Sequence, residues 1–367
     1  MTSENFIKEK KIISLFTTDK VISVEAVGHG NTNYTHVITL QKYDGTLYKR
    51  VLQKINVFVY GDAGRLMNNI YNITEFLKNQ LPEGGNPDRE VMTIVKSLNG
   101  NLYEKYEDEY YRCYVMIENS VSYQEIEKAE DFYHCGWAFA DFQKKLALLP
   151  ADAIEEPIKG FHNTKMRFDN FIRAIEADKM GRKSKVCDEI EFYLSRRHLA
   201  TEIVDKLENN IIPTRIVHND AKLNNMLFDS RTNQPLCILD LDTVMPGAAC
   251  YDFGDAIRFG GTRIPAEKTG SATLDIGLFR EFTKGYMSVA KDFLTKEEID
   301  TLAVSALVIT YECGMRFLTD YLEGDVTFRI KYPDHNLDRT INHRNMVLDI
   351  EEKLPLMKQI VLEYAEL

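Results

Sequence analysis

The run from His218 to Asn225, followed by an apolar segment that ends at Asp240, constrains this chain more than any other feature. The run reads His-Asn-Asp-Ala-Lys-Leu-Asn-Asn, and Leu-Cys-Ile-Leu stands directly before Asp240. The carboxylate of Asp220 is suited to accept a proton from a hydroxyl, and oxygens of Asn225 and Asp240 are suitable Mg²⁺ ligands. A loop followed by a short hairpin would bring the three side chains together. The pattern therefore predicts Mg²⁺-dependent phosphoryl transfer with Asp220 as the base.

A second aspartate competes with Asp240 for the metal. Asp252-Phe253-Gly254 spells the metal motif of protein kinases, but it lies well beyond Asn225 in the chain. It also opens a segment, residues 253–259, that is typical of a helix, and an aspartate before such a segment suits an N-cap. We therefore predict Asp240 as the metal ligand and Asp252 as a helix cap that fastens the catalytic loop.

The segment between Asp240 and Asp252 indicates the size of the acceptor. A regulated protein kinase needs a long activation segment closed by Ala-Pro-Glu, and the sequence here is short and lacks that signature. Asn219 also stands where protein kinases carry an arginine that binds the phosphate of the activation loop. A small-molecule acceptor is therefore predicted.

Longer runs around these motifs resemble a known family. The segments 216–229, 239–247 and 251–260 resemble the aminoglycoside phosphotransferase superfamily. Within it, Asp-Leu-Asp-Thr-Val-Met-Pro-Gly from Asp240 and Tyr-Asp-Phe-Gly-Asp from Tyr251 are similar to bacterial N-acetylhexosamine 1-kinases, as are 28–34 and 312–321. The resemblance implies a bilobal, protein-kinase-like α+β fold that binds ATP in the interlobe cleft. It also implies phosphorylation of the anomeric hydroxyl of N-acetylglucosamine or N-acetylgalactosamine, which gives the 1-phosphate.

The order of strand and helix signals predicts two lobes. Alternating apolar residues and turn signals predict strands at 21–27, 34–40, 47–55, 91–98, 102–106 and 110–117. A helix is predicted at 63–81, and helical spacing dominates after residue 118. We predict a nucleotide-binding lobe at 1–118 and a mainly helical catalytic and substrate lobe at 119–367, with a hinge at 117–120.

A lysine on the third strand is the predicted phosphate ligand of the first lobe. Lys54 resembles the family's strand lysine, while Lys49 and Arg50 compete for the role and a surface lysine is the alternative. Such a lysine usually pairs with a glutamate on the lobe's helix. Glu75 is the only glutamate well inside the predicted helix, and it lies late in it.

Two further segments are predicted to contact the nucleotide. The turn 28–34 would bind phosphates through Gly30, Asn31 and Thr32, although a plain hairpin explains it equally well. At Glu118, in the hinge, backbone groups would bind adenine.

Four residues are candidates for substrate contacts. The resemblance places His29 near the sugar, with an exposed turn histidine as the alternative. His218 faces the sugar or is a structural histidine. Arg316 binds substrate or forms a surface ion pair with Asp320. Asp242 faces a second metal or the substrate, or it stabilises the hairpin.

Composition bounds the partners and the compartment. A net charge of −11 argues against nucleic acid or an anionic membrane as partner. No apolar run approaches membrane-spanning length, the N-terminus lacks a signal-peptide core, and the six cysteines are scattered without a Cys-x-x-Cys pair. We therefore predict a cytoplasmic enzyme that uses ATP, Mg²⁺ and a small sugar.

Three alternatives to an N-acetylhexosamine kinase remain. One is a kinase of the same fold for a cationic acceptor, such as an aminoglycoside or choline, which the negative net charge would suit. Another is a kinase for a different sugar or an amino alcohol. The third is a pseudokinase that binds without catalysis, which the intact Asp220, Asn225 and Asp240 argue against.

Overall fold

The computed structural model describes residues 3–27, 33–264 and 271–366, with side chains from residue 8 onward. The chain divides into two compact units. The first comprises Met1–Val121, Ile154–Ile158 and Leu227–Val244, and the second comprises Ser122–Ala153, Lys159–Met226 and Met245–Leu367. The boundary predicted at residue 118 stays a prediction. The predicted boundary lies close to Val121, where the first segment of the first unit ends. The prediction differs for the 227–244 hairpin, which belongs to the first unit.

The first unit is an antiparallel sheet with helices on its two faces. Its helices are α1 (Ser3–Ile13), α2 (Val57–Tyr60), α3 (Ala63–Asn79) and α4 (Pro87–Glu90). Its strands are β1 (Lys20–Ala26), β2 (Tyr34–Gln41), β3 (Leu47–Ile55), β4 (Ile94–Val95), β5 (Glu104–Tyr106), β6 (Glu109–Val115) and β7 (Ser120–Val121). The sheet runs β1-β2-β3-β6-β4, and β5 also pairs with β6.

Strand alternation separates the two faces of this sheet. Leu52 of β3 and Cys113 of β6 pack with Ile12 and Phe16 in one buried cluster on the side of α1. The neighbouring residue on each strand points to the opposite face. Arg112, next to Cys113 on β6, touches Met67 of α3 on that face. Helix α3 presents a buried stripe at helical spacing to this side: Leu66, Met67, Ile70, Ile73 and Leu77.

A short hairpin completes the first unit. After the first helices of the second unit come the strands β8 (Arg215–Val217), β9 (Met226–Asp229), β10 (Pro235–Ile238) and β11 (Met245–Gly247), of which β9 and β10 form this hairpin. β9 pairs with both β10 and β7, and β10 packs against α4. A one-turn 3₁₀ helix, Leu241–Thr243, follows β10 and contacts α3.

The second unit is mainly helical. Its helices are α5 (Ala129–Leu146), α6 (Thr164–Ala177), α7 (Cys187–Ser195), α8 (Val204–Glu208), α9 (Cys250–Gly260), α10 (Ile276–Ala290), α11 (Lys296–Glu323) and α12 (His335–Ala365). Helices α5 and α10 approach closely because Gly136 and Gly285 face the backbone of the opposite helix, where a Cβ would collide with carbonyl oxygens. The strands β8 and β11 pair antiparallel beside them.

Helix α11 forms the centre of the second unit. A capping box of Thr295 and Glu298 begins it, and Gly324 in a left-handed conformation ends it. Among the described residues it is the one helix that is long and apolar enough to cross a membrane by length and composition. Its most apolar window is 89% buried within the protein. Core helices of globular domains have the same character.

Candidate active site

The loop that carries Asp220 leaves β8 through one unusual backbone position. Asn219 has φ +63°, a left-handed conformation that asparagine adopts more readily than most residues. A single 3₁₀ turn, Leu223–Asn225, then leads into β9. Because β8 is paired with β11, the loop starts from a fixed strand end.

Asp252 holds the backbone of this loop. It is fully buried in the first turn of α9, and its carboxylate accepts the N–H groups of His218 at 3.0 Å and Asn219 at 2.7 Å. The side-chain amide of Gln143 donates to it at 2.6 Å. Burial raises the pKa of Asp252 above its usual range. The predicted bracing of the loop is thus present, but α9 begins at Cys250, so Asp252 is not its N-cap.

Asp220 lies in a polarised and partly accessible position. Its side chain is 23% exposed, and Lys222 Nζ contacts one carboxylate oxygen at 2.6 Å. Asn225 Nδ2 donates to the other at 2.9 Å and to the Asp220 carbonyl at 2.8 Å. Burial opposes ionisation, but the positive charge of Lys222 and its hydrogen bond outweigh it, and the pKa of Asp220 lies below its usual value. The carboxylate is therefore charged at neutral pH and able to accept a proton.

Asn225 is oriented as a cation ligand would be. Both hydrogen bonds to Asp220 use its amide nitrogen, so its carbonyl oxygen is the atom that could face a metal. Asp240 lies in the first unit and follows β10 in a left-handed conformation with φ +55°. The described residues contain no group of three or more His, Cys, Asp or Glu that could hold a metal ion. A Mg²⁺–nucleotide site, however, needs only one or two carboxylates besides phosphate oxygens. These donors fit Mg²⁺, and their roles at one metal stay a prediction.

His218 has the environment of a structural histidine. It is fully buried, and its ring packs edge-on against Phe139 at 5.4 Å and Phe142 at 5.8 Å between centroids. A fully buried ring that packs on two aromatic side chains presents no exposed surface to a sugar. The geometry thus favours the structural alternative over the substrate contact.

A second buried histidine supports the loop and was not found from the sequence. His162 Nδ1 lies 2.9 Å from Glu312 Oε1, and its Nε2 lies 3.3 Å from the carbonyl oxygen of Asn219. Both partners are acceptors, so a ring N–H of His162 can donate to either of them. Thr164 also donates to Glu312 at 2.6 Å. The Glu-Cys-Gly-Met-Arg run could have pointed to Glu312, but nothing local marks His162.

Arg316 lies one helical turn from Glu312. Its guanidinium is 3.9 Å from the Glu312 carboxylate and 5.5 Å from the ring centroids of Phe161 and Phe328. The alternative ion pair with Asp320 is absent, because Asp320 accepts three backbone N–H groups of residues 326–328 instead.

A second arginine stands beside Arg316. Arg167 donates through Nε and one terminal nitrogen to the carbonyl of Phe161. Burial, and then the positive charge of Arg316, lower the pKa of Arg167 to about 10. Two cations near one carboxylate give this region a positive character.

In the first unit, Asp242 has a structural environment. Its side chain is 1% exposed and forms an ion pair with both terminal nitrogens of Arg112, one of them at 2.8 Å. Asn33 Nδ2 donates to it at 2.6 Å. The structure favours the stabilising role over contact with substrate or a second metal. Arg112 was not found from the sequence, although a charged residue on the inner face of a central strand is a recognisable signal.

Lys54 lies on the face of the sheet that α1 covers. It shares this face with Leu52, and its ammonium group contacts Glu109 of β6 and lies 5.5 Å from the ring centroid of Tyr34. Glu75 pairs with Lys78 on its own helix. The role of Lys54 at the phosphates stays a prediction, and the geometry favours a structural pair with Glu109. Lys49 is exposed, and Arg50 shares the α1 face.

The predicted hinge is tied to the hairpin. One terminal nitrogen of Arg89 donates to the carbonyls of Glu118 and Asn119, each at 3.2 Å, and to the carboxylate of Asp229 at 3.0 Å. The contact of Glu118 with adenine stays a prediction. His29, Gly30, Asn31 and Thr32 lie outside the described residues.

Comparison with known proteins agrees with the predicted superfamily. Residues 114–286 match the model of the phosphotransferase enzyme family, abbreviated APH. The structure is similar to an aminoglycoside phosphotransferase from Alicyclobacillus acidocaldarius, with TM-score 0.59, 10% identity and coverage of 96% of each chain. It is also similar to a spectinomycin phosphotransferase in complex with ADP and spectinomycin (TM-score 0.56, 13% identity, coverage 95% and 98%). A choline kinase from Cryptosporidium parvum Iowa II matches with TM-score 0.56 and 13% identity over 100% of each chain. The predicted bilobal, protein-kinase-like α+β fold of the aminoglycoside phosphotransferase type is confirmed.

Proposed function

We propose that the protein transfers the γ-phosphoryl group of ATP to the anomeric hydroxyl of N-acetylglucosamine or N-acetylgalactosamine, giving the sugar 1-phosphate. The observation that carries the phosphotransferase part is the environment of Asp220. Its carboxylate is ionised, partly accessible and held by Lys222 and Asn225. The backbone of its loop is fixed by hydrogen bonds to Asp252. A base in phosphoryl transfer needs this combination of charge, access and fixed position.

Each residue of the loop has a separate task in this proposal. Asp220 accepts the proton of the acceptor hydroxyl as that oxygen attacks the γ-phosphorus and ADP leaves. Both Asp220 oxygens already accept one hydrogen bond, and each retains a lone pair for the hydroxyl. Asn225 and Asp240 would hold Mg²⁺, which neutralises charge on the nucleotide phosphates when it is bound. Asp252 and His162 keep the loop in place.

The charges near the loop support a neutral acceptor rather than a cationic one. Glu312 is buried, accepts a hydrogen bond from Thr164 and lies 2.9 Å from His162 Nδ1, so its carboxylate already has partners within the protein. Arg316 and Arg167 outnumber this single carboxylate, which disfavours a cationic acceptor such as an aminoglycoside or choline. The net charge of −11 is a property of the whole chain and does not describe this region. The anomeric position itself is supported by the resemblance of the 240–247 and 312–321 runs to N-acetylhexosamine 1-kinases.

The cysteines agree with a cytoplasmic location, which is part of the proposal. All six are free, and burial raises the pKa of Cys113 to about 12, which keeps that thiol unreactive. Reduced thiols and an ATP supply are both properties of the cytoplasm.

The test is ATP consumption with a panel of acceptors in the presence of Mg²⁺. We expect turnover with N-acetylglucosamine or N-acetylgalactosamine, none with the corresponding methyl glycosides, and an acid-labile phosphate in the product. Turnover of the methyl glycoside would place the phosphate elsewhere on the ring. Turnover of choline or an aminoglycoside, with none of any free sugar, would overturn the acceptor class.

A matched pair of variants tests the base. Asp220→Asn should lower kcat by at least about 100-fold, because it cannot accept the proton, while ADP affinity stays within a few-fold. The exposed Asp300→Asn on α11 should leave both unchanged. Retention of a tenth of the wild-type rate by Asp220→Asn would show that Asp220 is not the base.

A further inference from the structure

Three buried side chains from distant parts of the sequence meet in the first unit. Arg112 of β6 is 1% exposed, Asp242 is 1% exposed, and Asn33, just before β2, is 9% exposed. Asp242 accepts hydrogen bonds from both terminal nitrogens of Arg112 and from Asn33 Nδ2. The three residues form one network, which we call the Asp242 network.

Arg112 and Asn33 each have a further hydrogen-bond partner outside the Asp242 network. Arg112 Nε donates to Gln53 Oε1 at 3.0 Å. Asn33 Oδ1 accepts the backbone N–H of Asn56 at 3.2 Å. A buried ion pair whose hydrogen-bonding groups are matched in this way fixes geometry more than it adds stability, because desolvation offsets much of the attraction. The carboxylate of Asp242 therefore has a single position, set by β6 on one side and by the residue before β2 on the other.

The segment fixed by this network carries the proposed metal ligand. Asp242 lies in the 3₁₀ turn Leu241–Thr243, two residues beyond Asp240, and Asp240 itself has a left-handed backbone conformation. That turn has only three residues, so a shift of Asp242 moves Asp240 with it. Asp242 is 1% exposed and already accepts three hydrogen bonds, so it is better placed to orient the turn than to bind a metal or substrate directly.

We propose that Arg112, Asn33 and Asp242 are positioning residues, which orient the Asp240 turn for Mg²⁺–nucleotide binding. The inference rests on the proposed function, since it assigns the network to the metal site of that reaction. The network acts through Asp240 and does not touch the metal.

The test compares Asn33→Ala with Asn69→Ala as a matched control. Asn69 is also a buried asparagine of the first unit that donates one hydrogen bond and accepts one, both with the backbone of Glu155. The two variants should therefore lose comparable thermal stability. ADP affinity is measured by isothermal titration calorimetry for each, once with Mg²⁺ and once with EDTA.

We expect Asn33→Ala to weaken ADP binding by about tenfold with Mg²⁺ and to leave binding in EDTA within about twofold. Asn69→Ala should change neither value. The positioning role would be overturned if Asn33→Ala lost ADP affinity equally with Mg²⁺ and with EDTA, or lost none under either condition. Asn33→Ser, which is smaller but polar, carries the same test if the alanine variant does not fold.

The wild-type titration separates this inference from the proposed function. Wild-type protein that binds ADP no better with Mg²⁺ than with EDTA would contradict the metal-dependent kinase proposal, and the inference with it. Mg²⁺-dependent binding in the wild type, together with a normal Asn33→Ala variant, would contradict the inference alone.

Discussion

Replacing Asp252 by alanine tests whether this carboxylate braces the catalytic loop or binds metal. The side chain is fully buried and accepts three hydrogen bonds, from the N–H groups of His218 and Asn219 and from the amide of Gln143. Alanine would leave these three donors without their acceptor. An unsatisfied buried donor costs roughly 1–3 kcal/mol, so the expected loss is roughly 3–6 kcal/mol after local relaxation.

Such a loss is readily measured. A globular protein is stable by about 5–15 kcal/mol, so Asp252→Ala would remove a large part of the free energy of unfolding. At about 2 °C per kcal/mol for a chain of this size, the melting temperature should fall by roughly 6–12 °C. Differential scanning calorimetry and urea unfolding measure both quantities. The exposed Asp300→Ala should stay within about 0.5 kcal/mol of wild type.

The isosteric Asp252→Asn variant should lose less free energy of unfolding than Asp252→Ala. One amide oxygen can still accept two of the three donors, so the loss should be about 1–3 kcal/mol. The bracing role would be refuted if Asp252→Ala melted within about 2 °C of wild type, which corresponds to about 1 kcal/mol, and lost Mg²⁺-dependent nucleotide binding. It would also transfer the metal role from Asp240 to Asp252.

Three further predictions follow from the other charged groups. Asp240→Ala should abolish the Mg²⁺ dependence of ADP binding in calorimetry, because its carboxylate is proposed to serve the metal. Lys54→Ala should leave ADP affinity within about twofold, because Lys54 pairs with Glu109 on the α1 face; a loss beyond tenfold would restore its predicted phosphate role. Lys54, and then Tyr111, lower the pKa of Glu109 from 4.5 to about 2, so its ionised form contributes stability above pH 4.5. That contribution is lost as the pH falls from 4.5 towards 2. The stability difference between wild type and Glu109→Gln, followed by urea unfolding, should therefore shrink over this range; a difference that grows on acidification would contradict the pairing.

The sequence by itself predicted the candidate base and metal ligand of the loop, together with six strands and the main helix of the first unit, but it did not predict α1. The spacing of Asp220 and Asn225 is local, and a loop between two strands can present it in few ways. Strand β3 spans Leu47–Ile55, as predicted, because alternation and a turn signal define a strand without reference to its partners. The bracing role of Asp252 was also predicted, although its place inside the first turn of α9 was not.

Only the tertiary structure decided which partner each charged side chain has. Alternation placed Arg50, Leu52 and Lys54 on one face of β3, but it could not say whether that face meets α1 or α3. Arg112 and Asp242 are 130 positions apart, and His162 and Glu312 are 150 apart, so no local pattern joins them. These side chains pair because they are buried: a charge removed from water needs an opposite charge or hydrogen-bond donors nearby. The candidate catalytic residues lie in a short motif, whereas the residues that hold their loop in place come from distant parts of the chain.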